Sequence, residues 1–292
     1  MHAKTLVSCE ELALALGSQP VVLVDCRHDL RDTRTGENAY LAAHLPGAVF
    51  AHLDRDLSDL TRTGRGRHPL PDAATFCARL GRWGISPSTQ VVAYDAADGA
   101  YAARLWWMLR LLGHERVAVL DGGFAAWVGS GRAVERTIPR PKPTTYSARF
   151  DVRQIAGIAV VAARMAVAGS PLIDARAPER YRGDVEPIDP VAGHIPGAIN
   201  RHYALNLEIN GRFKPAGQLM TEYKLLLNNA PPGDVIHMCG SGVTACHNLL
   251  AMEHAGLRGS RVYAGSWSEW VSDRARPVAK GDSNQRETKA AS

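Results

Sequence analysis

The run His237-Met238-Cys239-Gly240-Ser241-Gly242-Val243-Thr244-Ala245 holds the residues best suited to chemistry. A cysteine closes a short apolar stretch, and two glycines and a serine follow it. The glycines let the backbone curl with its N–H groups turned inward, and such a nest stabilises an anion. A thiolate is one such anion. A helix N-terminus behind it adds a field of the same sign, which lowers a thiol pKa and makes Cys239 a candidate nucleophile near neutral pH. Without that context a free cysteine reads as a small buried hydrophobe.

The flanking elements must position this loop. Residues 234–238 read as a short buried strand. Residues 245–255 read as a helix, with Gly256 placed to end it. Cys239 then falls at the carboxyl end of a strand and before a helix. That is the edge where open α/β sheets bind ligands.

The 292 residues suffice for two domains of ordinary size, and 46% of them are hydrophobic. No apolar run reaches spanning length and no signal-peptide core opens the chain, so a cytoplasmic location without a membrane partner is expected. Cys9, Cys26, Cys77, Cys239 and Cys246 are scattered, with no C-x-x-C pair and no metal-ligand spacing. Free thiols in a reducing compartment, with no metal, are expected. The formal charge of +5 suits small anions and does not argue for a nucleic acid.

The chain also repeats itself once. Val22-Leu23-Val24-Asp25-Cys26-Arg27 matches Pro171-Leu172-Ile173-Asp174-Ala175-Arg176. His44-Leu45-Pro46-Gly47-Ala48 matches His194-Ile195-Pro196-Gly197-Ala198, and Leu120-Asp121-Gly122-Gly123-Phe124-Ala125-Ala126-Trp127 matches Tyr263-Ala264-Gly265-Ser266-Trp267-Ser268-Glu269-Trp270. Two similar domains follow, rather than a solenoid. In the first copy, residues 8–16, 72–81 and 100–112 read as helices, with Ser8 as a candidate N-cap. Residues 21–25, 90–94 and 117–120 read as strands. Apolar strands alternating with helices predict an α/β fold, each domain a mainly parallel sheet flanked by helices. Residues 1–136 and 151–278 are the expected domains. The proline-rich residues 137–150 read as a stiff connector, and residues 279–292 as a disordered tail.

The repeat breaks at one place. Asp95 stands where the second copy has Cys239, and Ala96-Ala97-Asp98-Gly99 follows it. The first domain is therefore expected to be catalytically silent. His44 and His194 recur within turns, which duplication explains better than a metal site does. Trp127 and Trp270 read as core anchors, and Cys246 as a packed helix residue.

Together these segments resemble the tandem rhodanese family of sulfurtransferases, over nearly the whole chain. In that family the C-terminal domain carries the cysteine, as here. The loop Cys239-Gly240-Ser241-Gly242-Val243-Thr244 is similar to the 3-mercaptopyruvate branch, whereas the thiosulfate branch has basic residues at the positions of Gly240 and Ser241. A dianionic donor benefits from adjacent cations; a monocarboxylate needs one salt bridge and some hydrogen bonds. The resemblance implies that Arg180 holds the substrate carboxylate, a bidentate role that suits arginine. It further implies that Gly240, Gly242, Val243 and Thr244 line the substrate site. A second arginine that the family often carries shortly afterwards is absent from Asp184-Val185-Glu186-Pro187-Ile188-Asp189-Pro190. By the same resemblance Ser241, His68 and Asp56 form a proton relay, with Asp54 a close competitor of Asp56.

The implied reaction is two-step sulfur transfer through a Cys239 persulfide, without a cofactor. The donor is a small anion, 3-mercaptopyruvate or thiosulfate, and the acceptor is cyanide or a thiol, including a thioredoxin-like protein. Thiosulfate as the main donor is the first alternative, and a non-catalytic sulfur-carrier module the second. A cysteine-dependent phosphatase or arsenate reductase would need an arginine where this chain has Ala245.

Overall fold

A computed structural model describes residues 2–165 and 171–282. The chain divides into two compact units. Unit 1 comprises Met1–Leu60, Leu70–Val152 and Leu207–Lys214; unit 2 comprises Thr61–Pro69, Arg153–Asn206 and Pro215–Ser292. The short segments 61–69 and 207–214 thus group with the unit that does not contain their neighbours in sequence.

Unit 1 is built on the strands β1 (Leu6–Val7), β2 (Val21–Asp25), β3 (Val49–Phe50), β4 (Gln90–Tyr94) and β5 (Val117–Leu120). They form one parallel sheet in the order β1-β5-β4-β2-β3. Its helices are α1 (Cys9–Leu16), α2 (Thr35–Ala42), α3 (Leu53–Asp56), α4 (Ala73–Arg82), α5 (Ala102–Leu111) and α6 (Gly123–Gly129). The expected Ser8 cap is present, in a reciprocal box with Glu11, and Asp72 caps α4 through Thr75. Helix α5 is apolar around most of its circumference, and nine of its ten residues are buried. It starts two residues later than expected, because Gly99 at φ +78° precedes a turn.

Unit 2 repeats the plan. Strands β6 (Leu172–Asp174), β7 (Ile199–Asn200), β8 (Ile236–Met238) and β9 (Arg261–Val262) form a parallel sheet in the order β7-β6-β8-β9. A parallel bridge from Ile155 to Val262 extends that edge as β1 does in unit 1. The helices are α7 (Ile158–Arg164), α8 (Pro178–Arg182), α9 (Ala216–Leu227), α10 (Thr244–His254) and α11 (Ser266–Trp270). Strand β8 begins at Ile236 rather than 234, because the prolines at 231 and 232 start a single 3₁₀ turn. Gly256, at φ +80°, follows the end of α10.

The repeated motifs build the same joint in each unit. The Arg27 guanidinium forks onto Asp25, with Nη2–Oδ2 at 2.6 Å, donates to Ala43 O and lies 4.2 Å from the Phe124 ring centroid. Arg176 does the same with Asp174 at 2.7 Å, Gly193 O and, at 4.7 Å, Trp267. His44 stacks on Tyr40 and His194 on Tyr181, and in each case Nδ1 meets that tyrosine's carbonyl oxygen. These histidines hold turns. Trp127 and Trp270 are buried beneath the sheets, each donating its indole N–H to a backbone carbonyl. A buried side chain of that size contributes about 1.5–3 kcal/mol.

Residues 137–150 are irregular, as the prolines require, and they are docked on unit 1. Thr144 N donates to Gly81 O, Thr144 Oγ1 donates to Ile85 O, and the Tyr146 hydroxyl meets His114. Of the expected disordered tail, residues 279–281 are paired instead. Ala279 exchanges both backbone bonds with His194, and Gly281 N donates to Arg182 O. Residues 283–292 lie outside the described residues.

Asp95 shows how the first copy departs from the second. Its buried carboxylate fills its own loop: Oδ1 accepts from the N–H groups of Ala97 and Gly99, and Oδ2 from those of Tyr101 and Ala102. The nest that would cradle an external anion therefore already contains one. Burial pushes the carboxyl from 3.8 up to about 6, with Asp98 adding like-charge repulsion against the pull of the N–H donors. The folded chain then holds this proton more tightly than the unfolded chain, so Asp95's contribution to stability falls as pH rises from about 4 to about 6 and is level above. Asp98→Asn removes the repelling charge. The expected outcome is a lower Asp95 midpoint in a carboxyl NMR titration and a higher Tm at pH 7; an unmoved midpoint would show that Asp98 is not felt.

Candidate active site

The loop after β8 is held from behind by α11. Trp267 N donates to Cys239 O and Ser268 N to Gly240 O, both at 3.0 Å. The same two bonds recur in unit 1, where Phe124 N meets Asp95 O and Ala125 N meets Ala96 O. Asp95 is thereby the structural counterpart of Cys239, as the alignment of the two copies requires.

Cys239 is 2% exposed. Its Sγ accepts the Gly242 N–H at 3.1 Å, so the loop folds a backbone donor onto the sulfur. Gly242 sits at φ +76°, and a Cβ there would collide with Ala264 O. Only glycine fits that turn without displacing the backbone. Val243 and Thr244 lead into α10, which has no side-chain cap, so its first-turn N–H groups are not taken by one. Cys246 is buried, with Sγ on Gly242 O at 3.3 Å, and packs under the loop. His237, two residues before the cysteine, is buried and neutral: burial drives its pKa down to about 3.

Ser241 and His68 are brought together, with Oγ and Nδ1 2.8 Å apart and both residues buried. His68 belongs to the 61–69 segment of unit 2. Asp56 lies in unit 1, and both its oxygens are engaged there: Oδ1 with Arg79 at 2.7 Å, and Oδ2 with the His52 N–H at 2.7 Å.

Arg180 lies beside the loop. Its Nη1 is 3.6 Å from where a Cβ on Gly240 would stand. Nη2 pairs with Glu186 at 2.6 Å and Asp189 at 3.2 Å, while Nε is buried without a hydrogen-bond partner among the described residues. The segment that lacks a second arginine thus supplies two carboxylates. Burial raises the pKa of Asp189, and the neighbouring arginines oppose that rise.

Two residues escaped sequence reasoning. Arg67 pairs with Asp189 and brings Nη2 to 2.9 Å from the same virtual Cβ of Gly240. Nothing local to residue 67 announces that neighbourhood. Ser266 is fully buried at φ +51°, accepts the Cys239 N–H at 3.1 Å and donates to Tyr263 O at 2.8 Å. Its counterpart in the first copy is Gly123, at φ +55°. A serine where the other copy needs glycine was visible in the repeat, and the left-handed backbone costs it about 1–2 kcal/mol.

The chain matches the rhodanese-like domain family twice, over residues 8–130 and 159–273. It is 45% identical to a Pseudomonas aeruginosa protein named as a probable 3-mercaptopyruvate sulfurtransferase, over 97% of this chain and all of that one. It is 42% identical to the SseB protein of Mycobacterium tuberculosis, named for thiosulfate sulfurtransferase activity, over 96% and 98% of the two chains. The structure of 3-mercaptopyruvate sulfurtransferase from Leishmania major superposes with a TM-score of 0.81 at 30% identity, covering 94% of this chain and 76% of that one. Fold, repeat and cysteine loop define a tandem rhodanese-type protein. The chain belongs to the rhodanese family.

Gly242→Ala is expected to lower stability by about 1–3 kcal/mol, because the new methyl group collides with Ala264 O and forces a strained φ. It should also remove the N–H from the sulfur and slow alkylation of Cys239 by iodoacetamide. Thermal unfolding and mass-spectrometric alkylation rates check both parts.

Proposed function

We propose that Cys239 is the nucleophile of a sulfurtransferase whose preferred donor is 3-mercaptopyruvate, with thiosulfate as the slower one. The observation that carries this reading is the placement of the Cys239 sulfur in a loop whose next serine is hydrogen-bonded to His68 at 2.8 Å. The thiolate attacks the donor sulfur, and the sulfur–sulfur bond forms as the carbon–sulfur bond breaks. The electron pair passes to the departing pyruvate enolate, which takes a proton. Ser241 and His68 handle that proton, a step thiosulfate does not require. The outer sulfur of the persulfide is stabilised by the loop N–H groups, from Gly242 onward to Thr244. A thiolate or cyanide acceptor then attacks that sulfur and regenerates the Cys239 thiolate.

Arg180 is assigned to the donor carboxylate, through the guanidinium edge beside Gly240. Ser241, His68 and Asp56 are assigned to the proton relay, with Asp54 a close competitor of Asp56. Asp95, which fills its own nest, makes unit 1 the silent copy. All five cysteines are free, which suits a cytoplasmic setting with a thioredoxin-like acceptor. No helix among the described residues is long and apolar enough to cross a membrane.

Cys239→Ser is expected to abolish turnover while retaining the fold, because a hydroxyl fits the loop but is a poor thiophile. Mass spectrometry of donor-treated protein should show one added sulfur atom in wild type and none in the variant. Persistent turnover by the serine variant would rule out the assignment.

Steady-state kinetics with both donors test the preference. The expected kcat/KM is higher for 3-mercaptopyruvate, and Ser241→Ala should lower kcat for that donor by about tenfold or more while affecting thiosulfate less. Equal losses with both donors would remove Ser241 from proton transfer.

A further inference from the structure

We infer that Ser268 is a positioning residue for the transfer reaction: its hydroxyl clamps residues 64–68 beside the cysteine loop and so sets where His68 meets Ser241. This inference rests on the sulfurtransferase reading and adds to it a residue that acts through another. Ser268 lies half-buried in the first turn of α11, and three segments meet at it. Its backbone N–H donates to Gly240 O at 3.0 Å. Its Oγ accepts the Arg67 N–H at 3.0 Å and donates to Gly265 O at 3.1 Å. One side chain thus ties the backbone of an irregular segment to the turn that braces Cys239. Glycine at 66 permits the approach, since a Cβ there would stand 2.6 Å from Gly265 O and 3.0 Å from Ser268 Oγ. The next residue after the clamped N–H is His68, whose Nδ1 lies 2.8 Å from Ser241 Oγ. The other ties of this segment fix it less well. Arg65 reaches Glu269 at 3.8 Å from a side chain 66% exposed, where an ion pair is worth little. Arg67 meets Asp189 at the end of a long side chain, which holds the guanidinium rather than the backbone.

The first copy separates this clamp from the turn that carries it. Ala125 stands there at the position of Ser268, and its N–H makes the equivalent bond to Ala96 O. The backbone brace therefore needs no hydroxyl. Residues 207–214 cross that turn in unit 1, and Asp121 holds them, its Oδ1 accepting the Phe213 N–H at 2.8 Å. The position of Asp121 is Ala264 in unit 2. Each copy thus commits one polar side chain of the turn to one backbone N–H of a crossing segment, and carries alanine at the position the other copy uses. In unit 1 the clamped residue is followed by Lys214; in unit 2 it is followed by the histidine of the relay. The hydroxyl at 268 accompanies a ring that must be placed. That placement is exacting, because proton transfer needs a heavy-atom separation of about 2.6–3.2 Å, and a slip of the segment by about half an ångström takes the His68–Ser241 pair out of that range.

The test is steady-state kinetics of the full chain with 3-mercaptopyruvate and with thiosulfate, for wild type, Ser268→Ala, Ser268→Thr, His68→Gln and the double variant Ser268→Ala/His68→Gln. Amide hydrogen exchange over residues 61–69, followed by mass spectrometry, runs alongside. Alanine is the residue at the equivalent place in unit 1, so Ser268→Ala is expected to fold. It should lower kcat with 3-mercaptopyruvate about threefold to tenfold, as for a misplaced proton-transfer group, and leave turnover of thiosulfate within about twofold. Exchange over residues 61–69 should become faster, because the Arg67 N–H loses its acceptor. Ser268→Thr keeps the hydroxyl and should restore both readouts. In the His68→Gln background the alanine substitution should bring no further loss, because its effect passes through the ring. Additive losses in the double variant overturn the inference, since Ser268 would then act on the cysteine loop directly. Equal losses with both donors, unchanged exchange, or a threonine variant no better than alanine overturn it too. Failure of wild type to use either donor would instead sink the sulfurtransferase reading itself.

Discussion

The site depends on two backbone bonds between the loop after β8 and the first turn of α11, Trp267 N to Cys239 O and Ser268 N to Gly240 O. They stop the chain from continuing as a strand and turn it at Gly242, whose N–H then reaches the sulfur. A buried polar group is costly unless a partner meets it, and this turn brings a backbone donor to a sulfur at a position only 2% exposed. Ser266 completes the brace by accepting the Cys239 N–H, and it does so from a backbone conformation that glycine adopts in the other copy. Full burial and two hydrogen bonds hold that strained residue in place.

The duplication supplies an internal control. Both units carry the same sheet order, the same aspartate–arginine fork, the same histidine–tyrosine stack and the same pair of loop-to-helix bonds. The residue at the strand's end differs in kind. A carboxylate at 95 is satisfied by its own loop; a thiol at 239 receives one backbone N–H and leaves the remaining capacity of the loop to a ligand. The loop and its brace belong to the fold, and the side chain at the strand's end decides how far the loop's own donors are taken up.

Charge is handled in the same economical way. Arg176, Arg180 and Arg67 are interleaved with Asp174, Glu186 and Asp189. Buried ion pairs of this kind add little net stability, because desolvation offsets attraction. What they supply here is orientation. Glu186 and Asp189 hold parts of the Arg67 and Arg180 guanidiniums in place beside Gly240, so those side chains are ordered before anything binds there.

Much of this was legible from residues alone. Continuous apolar runs marked β2, β4 and β5 to the residue, and Ser8 and Asp72 marked the starts of α1 and α4, because local pattern and capping chemistry specify such elements. Helices α2 and α9 were not read. Thr35, Gly36 and Asn38 are weak helix formers in the first turn of α2, which has no side-chain cap, and α9 likewise lacks a side-chain cap. That Asp95 is the counterpart of Cys239 followed from the repeat, because duplication preserves position. The assignment of residues 61–69 to unit 2 and the meeting of Arg67 with Asp189 came only from the tertiary structure, while the pairing of His68 with Ser241, 173 residues away, was expected through the family resemblance and not from any local pattern. Sequence alone determined which elements form and which residue types could carry chemistry. Their partners were decided by where an irregular segment settles, since its backbone has no periodic ladder of its own and takes its contacts from the elements it crosses.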